Sequence, residues 1–140
     1  MARIIGIDYG QKRVGIAVTD PLQMIAAGLK TIPANEALDF LVNYVREEDV
    51  ECIVVGMPLQ MNNKDSEALF YVKQFVTALK RKLPGMKIEY ADERFTSKMA
   101  LQSMVEGGVK KKDRMKKENI DKISAALILQ SFLEKKKNII

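Results

Sequence analysis

Histidine and tryptophan are absent from this 140-residue chain, and cysteine occurs once. Without histidine there is no imidazole general base and no Ser-His-Asp triad. The ligands of a structural or catalytic zinc site are missing as well. Cys52 has no partner for an internal disulfide, which suits a reducing compartment. It stands in the apolar run Cys52-Ile53-Val54-Val55, the setting of an inert core thiol. No stretch reaches the roughly 18 apolar residues of a membrane span. The opening run Ile4-Ile5-Gly6-Ile7 is too short for a signal-peptide core, and Asp8 interrupts it. The expectation is a cytoplasmic protein without membrane contact, whose acid–base or metal chemistry comes from carboxylates, lysines or tyrosines.

The length suits one domain, residues 1–140, large enough to bury a core without staples. A hydrophobic share of 47% is ordinary for a globular protein. The net charge of +5 is unevenly spread. Lys110, Lys111, Lys112, Arg114, Lys116 and Lys117 crowd one segment, with Asp113 and Glu118 as its acids. Such a run is either a polyanion contact or a solvated loop.

Along the chain, Arg3 to Asp8 reads as a buried strand rich in β-branched residues. Gly10 in Tyr9-Gly10-Gln11-Lys12 marks a turn, with freedom to take a positive φ. Arg13 to Thr19 alternates Val14, Ile16 and Val18 with Gly15 and Ala17, completing an antiparallel hairpin that Asp20-Pro21 ends. A third strand is predicted from Ala27 to Ile32. Asn35 has the character of an N-cap for a helix through Leu38, Leu41, Val42 and Val45. Glu51 to Val55 is a strand ended by Gly56, and Ser66 to Leu83 a helix stopped by Pro84-Gly85. Lys87 to Ala91 is a fifth strand. Thr96 caps a helix ending near Gly107-Gly108, the basic segment is a loop, and a last helix runs from Asn119. The order β-β-β-α-β-α-β-α implies an α/β fold: a five-stranded mixed sheet flanked by helices.

Three carboxylates fall where this fold gathers its functional groups. Asp8 ends the first strand, Glu93 follows the fifth, and Asp121 lies in the first turn of the last helix. In open α/β sheets, sites form at the carboxyl ends of strands. Asp121 shares a helix face with Ser124, Ala125, Ile128 and Phe132, which draws the acid toward the sheet. Each acid has a bland reading: a turn cap for Asp8, an ion pair with Arg94 for Glu93, a helix-dipole contact for Asp121. Together, with no histidine available, they suit a hard cation such as Mg²⁺, held by one or two carboxylates and substrate phosphate.

The sequence Gly6-Ile7-Asp8-Tyr9-Gly10-Gln11-Lys12-Arg13-Val14-Gly15-Ile16-Ala17-Val18-Thr19-Asp20 resembles the opening signature of the YqgF family. These are Holliday-junction-resolvase-like proteins assigned as pre-16S rRNA nucleases. Val54-Val55-Gly56-Met57-Pro58-Leu59, Asp92-Glu93-Arg94-Phe95-Thr96-Ser97 and Asp121-Lys122-Ile123-Ser124-Ala125-Ala126-Leu127-Ile128-Leu129-Gln130 resemble the next three blocks, in the family's order. The resemblance implies a ribonuclease-H-like fold and a nuclease using Mg²⁺ or Mn²⁺, with Asp8, Glu93 and Asp121 as catalytic acids and metal ligands. It also implies a role at the 5′ end of a 16S rRNA precursor, with Holliday-junction cleavage an older attribution. Met61-Asn62-Asn63-Lys64-Asp65-Ser66 departs from the family pattern by lacking a glycine.

Further roles follow from position. Lys12 and Arg13, beside Asp8, could hold the scissile phosphate, as could Arg94; a plain hairpin tip is the alternative for the first two. Lys110, Lys111 and Lys112 would track a nucleic-acid backbone, giving salt-sensitive, sequence-blind affinity. Few aromatics remain for base stacking; Tyr9 is the best placed, with packing as its competing role, so RNA shape would carry specificity. Two rivals stand against a nuclease. Asp8-Tyr9-Gly10 through Gly15 also fits a phosphate loop of actin-like ATPases, but those need two related domains and this chain has room for one. A non-catalytic RNA-binding or transcription factor on the same fold is the other. Resolvase-type cutting would call for a symmetric homodimer.

Overall fold

A computed structural model describes residues 2–57, 66–92 and 117–137. The β-branched run at the start forms β1 (Arg3–Tyr9), followed by β2 (Arg13–Thr19) and β3 (Ala26–Pro33). A 3-10 turn (Ala34–Glu36) leads into α1 (Ala37–Glu47). Then come β4 (Val50–Met57), α2 (Ser66–Lys82), β5 (Lys87–Asp92) and α3 (Lys117–Lys137). The strands form one sheet in the order β3-β2-β1-β4-β5. β1 pairs antiparallel with β2, and β2 with β3. β4 runs parallel to both β1 and β5. This is the mixed sheet expected from the order of elements.

Both faces of the sheet are covered, which is why β1 and β4 read as nearly continuous apolar runs. On one face Ile5, Ile7, Val14, Ile16, Ile53 and Val55 pack against Leu41 of α1 and Val72, Phe75, Val76 and Leu79 of α2. On the other, Ile4, Ala17, Cys52 and Val54 pack against Ala125, Ile128, Leu129 and Leu133 of α3. Cys52 is a buried core thiol, as its sequence setting suggested. The period of two in β1 therefore sorts its side chains: Ile5 and Ile7 toward α1 and α2, and Ile4, Gly6 and Asp8 toward α3.

Several boundaries differ from the sequence reading. Asn35 makes no capping hydrogen bond. Pro33 (φ −59°, ψ 144°) delivers the chain into the 3-10 turn, and the Ala37 N–H donates to the Ala34 carbonyl. The backbone thus meets a donor that a side-chain cap would have met. Gly56 lies inside β4 rather than ending it, because Ala91 and Asp92 of β5 extend the pairing to Met57. Helix α3 begins at Lys117, not Asn119, so the end of the basic run is helical and Asp121 sits in the second turn. The helix predicted from Thr96 and the rest of the basic segment lie outside the described residues.

At the β3 edge, Ile16 pairs with Lys30 and Ala17 with Gly28, so Leu29 is an extra residue in a bulge. Bulges of this kind interrupt the regular hydrogen-bonding row that an edge would offer to another strand.

Candidate active site

The site grows from the ladder between β1 and β2. Asp8 pairs directly with Gly15. Gly15 is required by close approach: a Cβ there would lie 2.1 Å from the Asp121 carbonyl oxygen and 3.1 Å from its Cβ. Helix α3 therefore rests its second turn on the residue opposite Asp8. Directly opposed cross-strand Cβ positions lie about 5 Å apart, so the Asp8 and Asp121 Cβ atoms are within about 9 Å. That is within reach of one shared ion for two carboxylate side chains.

The neighbours of Asp8 on this face are small. Carried one residue past the Ile7–Val55 pair, the register of β1 against β4 sets Gly56 beside Asp8, and Gly56 pairs with Ala91 of β5. Gly56 and Ala91 thus put no large side chain on the β5 side of Asp8. Glu93 follows Asp92, the last residue of that strand, and lies outside the described residues, as do Arg94, Lys110, Lys111 and Lys112. Among the described residues, no three acidic, cysteine or histidine side chains converge as a ready metal cluster.

Arg13, the first residue of β2, donates from Nε to Oδ2 of Asp121 at 3.1 Å. The pair is partly exposed, with 34% of the Arg13 side chain and 24% of the Asp121 side chain accessible. The guanidinium expected to hold phosphate is therefore bonded to an acid expected to hold metal. Lys12 is exposed, and its carbonyl accepts a hydrogen bond from the Ala34 N–H at 3.0 Å, which fixes the hairpin tip. Gly10 does not use the left-handed region. A Cβ there would sit 2.7 Å from the Arg13 carbonyl oxygen, and this crowding is what selects glycine.

Beside these groups is a recess of about 370 Å³ lined by Tyr9, Gln11, Lys12, Arg13, Tyr71 and Asp121, among others. Tyr9 is the packed residue of its two readings: its ring stacks on Phe75 with centroids 4.7 Å apart. Burial, and then the neighbouring Tyr71, push its phenol above the usual value, so it stays neutral at physiological pH. One helical turn beyond Asp121, the Ser124 hydroxyl is buried and has no hydrogen-bond partner among the described residues.

Of the residues singled out in the sequence, the structure brings Asp8, Asp121 and Arg13 around Gly15; the sequence reading did not single out Gly15 as the seat of α3 or Tyr71 as a wall of the recess. A signal for Gly15 was present: small residues at Gly15 and Ala17 on one face of a strand match the small run Ser124-Ala125-Ala126 on a helix. Nothing in the α2 sequence marks Tyr71.

The layout defines a class: a ribonuclease-H-like α/β domain with acids at the carboxyl-terminal edge of its central strand. Residues 2–135 match the family RuvX, described as Holliday junction resolvase, and the chain belongs to that family. This agrees with the resemblance carried by the four sequence blocks. A protein of Bacteroides fragilis named "Putative pre-16S rRNA nuclease" is 56% identical over 137 residues, covering 98% of this chain and 99% of the relative. One of the same name from Phocaeicola vulgatus is 55% identical over 139 residues, covering 99% and 100%. Among solved structures, Thermus thermophilus RuvC in complex with a Holliday junction substrate superposes with a TM-score of 0.60 at 16% identity. That match spans 97% of this chain and 96% of the other. At that identity the likeness shows the shared fold.

Proposed function

We propose that this protein is a divalent-metal-dependent nuclease that hydrolyses phosphodiester bonds, with a 16S rRNA precursor as its substrate. The supporting observation is that Asp8 and Asp121 come to one face of the sheet around Gly15. Asp8, Glu93 and Asp121 would hold Mg²⁺ or Mn²⁺. The donors are oxygens only, which suits these ions rather than zinc or copper. Gly56 and Ala91, with no bulky side chain on the β5 side of Asp8, suit an ion that keeps several waters. When bound, such ions lower the pKa of water and offset the charge that builds on the phosphate.

The other residues of this chain bind and orient. Lys12 and Arg13 reach the phosphate from the hairpin tip, and Arg94, two residues beyond β5 in the sequence, is a third candidate for that contact. Lys110, Lys111 and Lys112 follow the nucleic-acid backbone, a contribution that falls steeply with salt. The shared name of the relatives directs the reading to the 16S rRNA precursor, and a role in rRNA processing would suit a cytoplasmic protein. A second reading, cleavage of four-way DNA junctions, is favoured by the family's description and needs a homodimer to cut symmetrically.

Cleavage assays on a 5′-extended 16S precursor RNA and on a four-way DNA junction test both. The expected result is RNA cleavage in Mg²⁺ or Mn²⁺ that chelation abolishes. Asp8→Asn should abolish cleavage while RNA binding persists. Equal activity in the Asp8→Asn protein refutes the proposal, and metal-dependent cutting of the junction alone transfers it to the second reading.

A further inference from the structure

Tyr9 lines two cavities. One is the recess beside Asp121; the other is a groove of about 620 Å³ between the start of α1 and α2. Ala34 and Leu38 line the groove from the α1 side, and Phe70, Lys73, Gln74 and Arg81 from α2. From Phe70 to Arg81 the helix rises about 16 Å. Phe70 is 56% exposed, whereas Val72, Phe75, Val76 and Leu79 of the same helix are buried. A single exposed phenyl group is unremarkable in itself; its position is what counts. Its ring meets that of Tyr71 edge-on, with centroids 5.6 Å apart, and Tyr71 lines the recess beside Asp121. Tyr9 is already stacked on Phe75. Phe70 is thus the exposed aromatic beside the active site, at the point where recess and groove meet.

The charge along this groove has one sign. Lys73 and Arg81 line it, and among the described residues no acid does. Neither cation is in an ion pair among those residues. Lys80 and Lys82 stand beside Arg81 in the last turn of α2, and Glu67 is the one acid in that helix's sequence. The acids Glu36 and Asp39 line a separate recess on the β3 side of α1, with Lys30. At the far end of α1, Glu48 is paired with Arg3, and its neighbours Glu47 and Asp49, like Arg46, line neither cavity. Helix α3, with Lys122, Glu134 and Lys135, covers the opposite face of the sheet. At the recess end stand Lys12 and Arg13, the latter paired with Asp121.

We infer that this groove holds a single-stranded stretch of RNA flanking the scissile bond, with a base stacked on Phe70 and phosphates on Lys73 and Arg81. The inference rests on the nuclease reading and deepens it, since it names the form of the substrate: a structured RNA with an unpaired flank. Unpaired cations select a polyanion. The exposed ring selects among polyanions. A duplex keeps its bases stacked inside and offers phosphates and groove edges, so a phenyl group gains nothing from it. A single strand offers phosphates and open base faces together, and stacking on an aromatic side chain tolerates any sequence. Continuity through Tyr9 lets one strand pass from the recess into the groove. An acidic protein segment is the competing occupant, which the test separates.

Fluorescence anisotropy on the full chain, in EDTA so that nothing is cut, compares a blunt RNA duplex with the same duplex carrying a single-stranded tail of about six nucleotides. The tail should tighten binding about tenfold or more. Phe70→Ala should remove most of that gain and Phe70→Trp should keep it. Neither should alter affinity for the blunt duplex or the urea midpoint. Lys73→Gln combined with Arg81→Gln should lower the salt slope for the tailed duplex by about 1.4, two phosphate contacts of a single strand. A 4-thiouridine in the tail should cross-link within residues 70–81. Equal binding of tailed and blunt duplexes, a tail gain that survives all these variants, or cross-links confined to other segments overturn the inference. So does a polyglutamate peptide that displaces the tail as well as single-stranded RNA does, which would give the groove to an acidic protein segment. No arm reads cleavage, so tail binding by a chain that cuts no RNA supports the groove while refuting the nuclease reading.

Discussion

Arg13 and Asp121 are 108 residues apart in sequence and 3.1 Å apart in space. The guanidinium sits where a cation would be drawn, and a carboxylate cannot serve both at full strength. Arg13→Gln should therefore tighten Mn²⁺ binding by about two- to fivefold, the worth of a partly exposed ion pair. The same change should weaken RNA binding and lower its salt slope by about one. Titration calorimetry with Mn²⁺ and filter binding at several salt concentrations check both. Weaker Mn²⁺ binding would show instead that Arg13 aims Asp121 at the ion.

Gly15→Ala puts a methyl group into the Asp121 backbone. A contact of 2.1 Å must open, and the obstacle is a helix carbonyl rather than a flexible side-chain end. The expected loss is at least about 3 kcal/mol, the upper range for overpacking. Urea unfolding measures it. Because α3 must lift, metal binding should fall as well, even where the protein remains folded.

Ser124→Ala removes a buried hydroxyl that has no partner among the described residues. Leaving such a group unsatisfied costs about 1–3 kcal/mol, so the alanine variant should be more stable by about 1 kcal/mol. Urea midpoints decide this. A loss of stability would mean that the hydroxyl is bonded in solution.

Asp20 gives a pH prediction. Backbone N–H groups, that of Ile25 foremost, hold its carboxyl below the usual aspartate value despite some opposing desolvation. A depressed folded-state pKa stabilises above the unfolded value of about 3.9 and loses that contribution as pH falls through the lower folded value. Wild type should thus exceed Asp20→Asn in stability at pH 6, with the gap closing as the medium is acidified below pH ~3.9. Urea midpoints across that range give the answer.

Much of this was legible in the residues. The β-branched run of β1, the alternation in β2 and the helical period of α2 located the sheet and one covering layer. Asp121 was drawn inward by Ser124, Ala125 and Ile128, and those residues are buried. What escaped was set by tertiary fit. Asn35 has capping chemistry, but Pro33 made a 3-10 turn and the backbone capped itself. Gly56 looked like a strand end because glycine weakens strands, yet β5 supplied pairing beyond it. The pairing of Arg13 with Asp121 also escaped, because nothing in a linear sequence reveals a carboxylate 108 residues away.

The central claim is that Asp8 and Asp121, with Glu93, grip a divalent ion. Anomalous diffraction from crystals soaked in Mn²⁺ tests it most directly. The account predicts a peak about 2.0–2.3 Å from carboxylate oxygens of both Asp8 and Asp121, the distance expected for a small divalent ion on oxygen. Manganese bound elsewhere, or no peak from crystals of protein that still cleaves RNA, would contradict it.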